Sequence, residues 1–383
     1  MIGEELRIWW IRLWSLTLKE LLQLSRDGFL IIAIVYMFTL DIWLSGNVHL
    51  ELHRATLIVR DADHSEASRD LIAQFRYPYF RLGGEVFGEH EGISMLDRNQ
   101  AIVLLDIPEN FMKDLRSGRT VDVQVMIDGS NTIVGTLASS YAGRIIGEYG
   151  LDRALDRMKF HPDMLEIVPR VDVRVRVWYN PNQDDFWFLP ISELLTVITI
   201  FGLMLPAAAA VREKERGTIE QLLVSPLSPA QIMIPKVVSM TFVVLVGTAV
   251  SLFGVIKGIF GVPIKGNLAF FFLTVALYTV AVSGMGLFIS TFTRNLAQVA
   301  MLVLVVAMPV VLLSGAWTPP EAMPVWLRRA IHLSPLYYFI EMSYGILLRG
   351  AGFGALWHSF LGLSLLGSGA FIFGAYRFRR QFK

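Results

Sequence analysis

No cysteine occurs among the 383 residues, so no disulfide framework and no Cys-based metal or redox centre is available. Any part lying outside the cytoplasm must hold together by core packing alone. Charge is scarce as well. Asp, Glu, Lys and Arg make up 17% of the sequence, against roughly 25% in an ordinary soluble domain. The formal net charge is +1, so no global basic or acidic field points to nucleic acid or to acidic substrates. The seven histidines are scattered with no i, i+4 pair around a Glu. His49 and His53 have that spacing but lie beside an expected membrane exit, and no metal site is predicted. A phosphate-cradling G-x-x-x-x-G-K-[ST] loop is also missing. The segment GVPIKG (261–266) lacks its spacing, its hydroxyl and a preceding strand, so the chain is not expected to hydrolyse ATP itself. DADHSE (61–66) lacks the glycine and distal bidentate Glu of a calcium loop and reads as a strand-to-helix turn.

What the sequence has in abundance is apolar length, with 54% hydrophobic residues. A membrane span needs about 20 mainly apolar residues to cross roughly 30 Å of hydrocarbon. Six segments qualify, at 29–46, 186–211, 232–256, 268–292, 296–317 and 354–376. The first lies behind a long polar-apolar segment without a small-residue cleavage site and reads as a retained span. The expected fold class is therefore an α-helical polytopic membrane protein of six transmembrane helices with an inserted extracytoplasmic mixed α/β domain.

Orientation follows from the short flanks, because the side richer in Lys and Arg stays cytoplasmic. With the N-terminus inside, thirteen such residues flank the inner ends and five (Lys257, Lys265, Arg328, Arg329, Arg349) the outer ones. Both termini are therefore expected in the cytoplasm. Residues 1–28 read as an interfacial amphipathic helix, with a polar stripe of Arg12, Ser15, Lys19, Gln23 and Arg26 and with Trp9, Trp10 and Trp14 suited to headgroup depth. Residues 47–185 are long enough for one domain. Strands are expected at 55–61, 100–108, 120–130 and 171–181, and helices at 65–75 (capped by Ser65), 109–118 (ending at Gly118) and 132–157. Residues 186–383 carry spans two to six. Between the last two, 317–350 holds an apolar run (336–348) too short to cross, which suits a re-entrant or interfacial region on the outer face.

Two carboxylates, Asp41 and Glu193, fall inside spans toward their outer ends. Asp41 reads as an interfacial carboxylate. Glu193 fits either that role or the lining of a translocation path, since ionisable residues in spans often mark substrate routes.

The stretch VREKERGTIEQLLVSPLSP (211–229) lies between spans two and three. Thr218 with Gln221 has capping-box spacing, so a helix is predicted from Ile219. Pro226 stops it after about two turns, with Ile219, Leu222 and Leu223 on one face. Ser228 then caps the next helix with Pro229 at its first position. Pairs at i, i+3, Arg212 with Glu215 and Glu213 with Arg216, are expected along the charged approach. The result is a short stub, charged on its approach and apolar on one face, suited to docking into a groove on a soluble partner.

Those residues resemble the type-2 ATP-binding-cassette (ABC) exporter permeases, in the subgroup with a large periplasmic domain between the first two spans. In that family the second span typically ends in R-E-R-E-x-G-T-x-E-x-L-L-x-x-P. Arg212, Glu213, Glu215, Gly217, Thr218, Glu220, Leu222, Leu223 and Pro226 match it, and Lys214 departs from it while keeping the charge. LLSG (312–315), PPEAMP (319–324) and Pro335 look like the family's outer re-entrant region. The resemblance implies a non-enzymatic transport subunit in a bacterial inner membrane, with Arg212, Glu213, Glu215, Gly217, Thr218, Glu220, Leu222 and Leu223 coupling it to a separate ATPase chain. ATP and Mg would be bound there. It further implies a second permease copy or paralogue, a periplasmic adaptor in some members, contact with membrane lipid, and export of an amphipathic or apolar molecule such as a drug or lipid. Two other classes fit parts of the sequence: a secondary transporter, for which Glu193 is a partial candidate, and a membrane sensor with a ligand-binding outer domain.

Overall fold

The computed structural model describes residues 2–47, 54–76, 78–98, 100–129, 132–157, 185–218, 227–315, 320 and 323–380. In chain order the elements are α1 (Ile2–Ser25), α2 (Gly28–Gly46), β1 (Ala55–Asp61), α3 (Glu66–Gln74), β2 (Phe80–Glu85), α4 (Glu89–Asp97), β3 (Val103–Ile107), α5 (Phe111–Ser117), β4 (Gln124–Ile127) and α6 (Thr132–Arg157). They continue with α7 (Asp185–Glu215), α8 (Pro229–Val250, with a π-helical continuation Ser251–Ile256), α9 (Leu268–Phe292), α10 (Leu296–Leu312), α11 (Val325–Ile331), α12 (Pro335–Leu347) and α13 (Phe353–Arg379). The chain divides into two compact units, one formed by residues 1–49 and 176–383 and the other by residues 50–175.

In the helical unit, α2, α7, α8 with its continuation, α9 and α13 are long and apolar enough to cross a membrane. Among the described residues, five of the six expected spans are helices of that length and composition. The segment read as a sixth, 296–317, forms α10 of 17 residues, about 25 Å at 1.5 Å per residue, which is at the short limit for crossing. The short apolar run after it forms α12, of 13 residues, preceded by α11 of seven residues, about two turns.

α9 is the axis around which the bundle packs. Gly284 and Gly286 lie two residues apart, hence on nearly opposite faces of a 3.6-residue helix. A Cβ on Gly284 would strike the backbone of Phe371 in α13, and one on Gly286 would strike the carbonyl of Leu203 in α7. Gly374 of α13 meets the Gly284 carbonyl in the same way. Small residues at these crossings let the backbones approach closely, which is how membrane helices associate where water supplies no hydrophobic drive. Tyr278 of α9 stacks on Phe339 of α12 at 4.0 Å between centroids. The buried Tyr278 hydroxyl lies 3.0 Å from Thr199 Oγ1 in α7.

The second unit is a four-stranded sheet in the order β2-β1-β3-β4, parallel except for β4, which runs antiparallel to β3. Alternation along β1 and β3 sends Leu57, Val59, Val103, Leu105 and Ile107 to one face, against Leu71, Phe111 and Ala142 of the helices. Ile58 and Leu104 go to the other face, against Val86 and Ala101. The DADHSE segment is the expected turn. Asp61 accepts from the N–H groups of Asp63 and His64 at 3.0 Å each and from the Ser68 hydroxyl at 2.6 Å. Ser65 caps α3 as expected. The Asp63 carboxylate accepts from Met112 N–H at 3.0 Å, at the start of α5. Its slight burial opposes ionisation, but hydrogen bonds from Ser65 and the α5 amides outweigh that and hold it below the usual carboxylate range.

Several boundaries move. The strand expected over 120–130 is ordered as β4 only from Gln124 to Ile127, and β2 and α4 answer to no element read from the sequence. The strand expected at 171–181 and the helix expected from Ile219 lie outside the described residues.

Candidate functional site

The motif at the end of the second span closes α7 with a Schellman turn. The Thr218 N–H donates to Glu213 O at 3.0 Å and the Gly217 N–H to Lys214 O at 3.2 Å, with Gly217 at φ +66°. Glycine adopts that left-handed conformation without Cβ strain. Thr218 thus belongs to the stop of α7, its hydroxyl donating to Glu213 O at 3.3 Å. The predicted box partner Gln221 lies outside the described residues, as do Glu220, Leu222 and Leu223.

Just before that stop, four consecutive charged residues each reach a different part of the surrounding helices. Arg212, 5% exposed, pairs with Asp27 at 2.9 Å. Asp27 in turn caps α2 by accepting from Leu30 N–H at 3.1 Å. Glu213 takes the Lys236 ammonium of α8 at 2.8 Å and the Lys19 ammonium of α1 at 3.0 Å. Lys214 donates to Ser290 O at 2.6 Å, in the last turn of α9, where helical carbonyls lack partners. Glu215 accepts from Leu296 N–H at 3.0 Å, in the first turn of α10, where amides lack partners and the helix dipole favours an anion. One turn of α7 therefore ties together α1, α2, α8, α9 and α10.

The heart of this hub is a quartet of alternating charge, with Glu20, Glu213 and Lys236 buried and Lys19 half-exposed. Glu20 of α1 takes Lys236 at 2.8 Å and Lys19 at 3.3 Å through the same oxygen. Lys236 is 1% exposed and also reaches Ala209 O at 3.4 Å. Burial alone would lower the Lys19 ammonium, but the carboxylates of Glu20 and Glu213 prevail and hold it above its ordinary value. Such a group is favourable only as a complete set, because a lone buried charge has no compensation.

The sequence-predicted residues are thus divided. Arg212 and Glu213 face inward to Asp27, Lys19 and Lys236, in place of the expected i, i+3 partners Glu215 and Arg216. Glu215 and Gly217 stand at the surface. Lys236 and Glu20 were not among the residues singled out, although each carried a signal: a lysine within an apolar span, and a glutamate off the polar stripe of α1. Glu193 lies elsewhere in the bundle, near Asp41. Ser228 caps α8 by accepting from Gln231 N–H at 3.3 Å, with Pro229 opening the helix. No group of three or more metal-ligating side chains occurs among the described residues.

The family described as ABC-2 family transporter protein matches residues 28–376. The inner membrane transport permease YhhJ of Escherichia coli (strain K12) is 34% identical over 370 residues, covering 96% of this chain and 97% of that protein. The probable multidrug ABC transporter permease YbhR of the same organism is 32% identical over 358 residues, covering 91% of this chain and 93% of that protein. A second such permease, YbhS, is 27% identical over 347 residues, 89% of each chain. These relatives are transport components, and the family implies a separate ATPase partner and a dimeric arrangement. The chain belongs to the ABC-2 family of transporter proteins and is a permease subunit of an ABC transporter.

Proposed function

We propose that this permease exports an amphipathic or apolar molecule, and that the segment 212–226 is the joint through which a separate ATPase drives it. ATP and Mg would act on that partner chain. The observation that carries the reading is the hub: a displacement applied at Gly217 and beyond reaches five helices through contacts of 2.6–3.0 Å at Arg212, Glu213, Lys214 and Glu215. Because Arg212 and Glu213 are buried, their part is to transmit, and the surface offered to the ATPase begins at Glu215 and Gly217 and runs through Thr218, Glu220, Leu222 and Leu223. Gly217→Val places a β-branched residue at φ +66°, where no neighbouring atom lies within 4 Å of the new Cβ. Its cost is therefore backbone strain, about 1–2 kcal/mol. The variant is expected to fold and insert but to co-purify less ATPase, while Gly217→Asn, tolerated in that conformation, keeps it. Equal behaviour of the two would remove the angle at Gly217 from the mechanism. Absence of any ATPase from the purified wild-type protein would contradict the assignment of 212–226 as its joint.

An apolar cavity of about 580 Å³ supports the cargo class. Its walls include Leu203, Met285, Val306 and Leu365, with the Thr199–Tyr278 hydroxyl pair as a polar handle. Two relatives named as probable multidrug permeases point the same way. The exposed stripe Met301, Val305, Met308 and Leu312 on α10 is the face assigned to a second copy or paralogue. The proximity of Glu193 and Asp41 favours one other reading, a cation- or proton-coupled route. Glu193→Gln is expected to leave ATP-driven transport largely intact, and complete loss with normal assembly would establish the coupled route instead.

Residues 47–185 are placed outside the inner membrane, available to a periplasmic adaptor, and both termini are placed in the cytoplasm, on the thirteen-to-five charge asymmetry. Reporter fusions at Gly129 and Lys383 should respond on opposite sides of the membrane. Responses on the same side would refute this topology.

A further inference from the structure

At the turn between α1 and α2 lies a cleft of about 560 Å³, lined by Lys19, Leu22, Gln23, Arg26, Gly28 and Arg216. Its cations differ in what already engages them. Lys19 belongs to the quartet with Glu20 and Glu213. Arg26 and Arg216 are exposed and take part in no ion pair among the described residues. Arg216 also lies near enough to Arg212 for the two cations to repel. The one acid in the wall, Asp27, is engaged by Arg212 and by Leu30 N–H. Among the described residues the cleft therefore offers two cations, Arg26 and Arg216, that no ion pair engages.

The position of the cleft says what would engage them. Asp27 and Gly28 begin α2, an apolar helix of 19 residues, so the cleft sits where hydrocarbon gives way to headgroups. Directly below it, on one face of α2, Phe29 and Ile32 are 81% and 70% exposed. A ligand with an anionic head and apolar tails meets both surfaces at once. Guanidinium forks match phosphate oxygens bidentately, and basic pockets between membrane helices suit phospholipid headgroups. We propose that this cleft binds the phosphate of an anionic phospholipid, with the acyl chains lying along Phe29 and Ile32. The lipid would tie the α1–α2 turn to the end of α7 beside the hub, which deepens the coupling reading above but does not depend on the ATPase for its chemistry.

The test is native mass spectrometry of the purified full-length permease offered phosphatidylglycerol or phosphatidylcholine. Wild type should retain phosphatidylglycerol in preference. Arg26→Ala with Arg216→Ala should lower that retention about fivefold per arginine, about 25-fold together. Arg7→Ala with Arg12→Ala removes equal charge from α1 outside the cleft and should change retention less than about twofold, because exposed charges beyond a Debye length are screened. Equal losses in the two pairs would mean diffuse attraction and overturn the site. Full displacement of the lipid by inorganic phosphate would make it a free-phosphate site and overturn the lipid assignment. Unchanged phosphatidylglycerol retention in the Arg26/Arg216 variant, with loss of co-purified ATPase, would assign the cleft to that protein and likewise overturn it. A wild-type permease that retains phosphatidylglycerol but brings down no ATPase would leave the lipid site standing and overturn the coupling reading.

Discussion

Lys236→Met is expected to destabilise the helical unit by about 3–5 kcal/mol, the scale for removing one partner of a buried ion pair. Its ammonium bridges Glu20 and Glu213 at 2.8 Å each. Methionine fills similar volume and leaves two buried carboxylates with only the half-exposed Lys19, at 3.3 and 3.0 Å. The variant should accumulate poorly and melt earlier in detergent. Adding Glu20→Gln should recover much of the loss, because Lys19 and Glu213 then remain as a neutral pair. That recovery separates a charge effect from a packing effect. Wild-type melting of Lys236→Met would show that the quartet does not hold α1 to the bundle.

The second large effect is steric. Gly374→Ala sets a methyl group against the Gly284 carbonyl of α9, and backbone cannot turn aside as a flexible side chain can. Overpacking of this kind costs about 1–3 kcal/mol, occasionally more, and the backbone obstruction puts this site at the upper end. Gly369→Ala on the same helix meets nothing within 4 Å. It should be neutral or stabilising by about 0.5–1 kcal/mol, the usual gain of alanine over glycine in a helix. Equal melting temperatures for the two alanine variants would contradict the close crossing of α9 and α13.

How much of this was legible in the sequence depends on how local each cause is. The spans follow from apolar length, so 268–292 coincides with α9 and 354–376 falls within α13. Helix stops and starts carry their chemistry with them, so Ser65, Gly118, Ser228 and Pro229 mark real ends. β2 escaped because Gly83 and Gly84 interrupt any strand pattern and five of its six residues are not buried. The hub escaped for a different reason. Glu213 looks like one charge in a solvated run, and its partners Lys19 and Lys236 stand far away in sequence, on helices brought to it only by tertiary packing. Lys236 counted among the inner flanking cations, yet a lysine two turns inside α8 needs a buried anion. Glu20 and Glu213 are the anions that answer it.

The absence of native cysteine makes single-cysteine cross-linking the most direct measurement of the coupling claim. The permease carrying Glu220→Cys, joined by a thiol-to-amine reagent in intact membranes, should form a covalent product with an ATP-binding-cassette subunit, in a yield that changes on adding ATP. Lys257→Cys, placed beyond the far end of α8, should form none. No product from Glu220→Cys, or an ATPase product from Lys257→Cys instead, would contradict the assignment of 212–226 as the joint between motor and membrane.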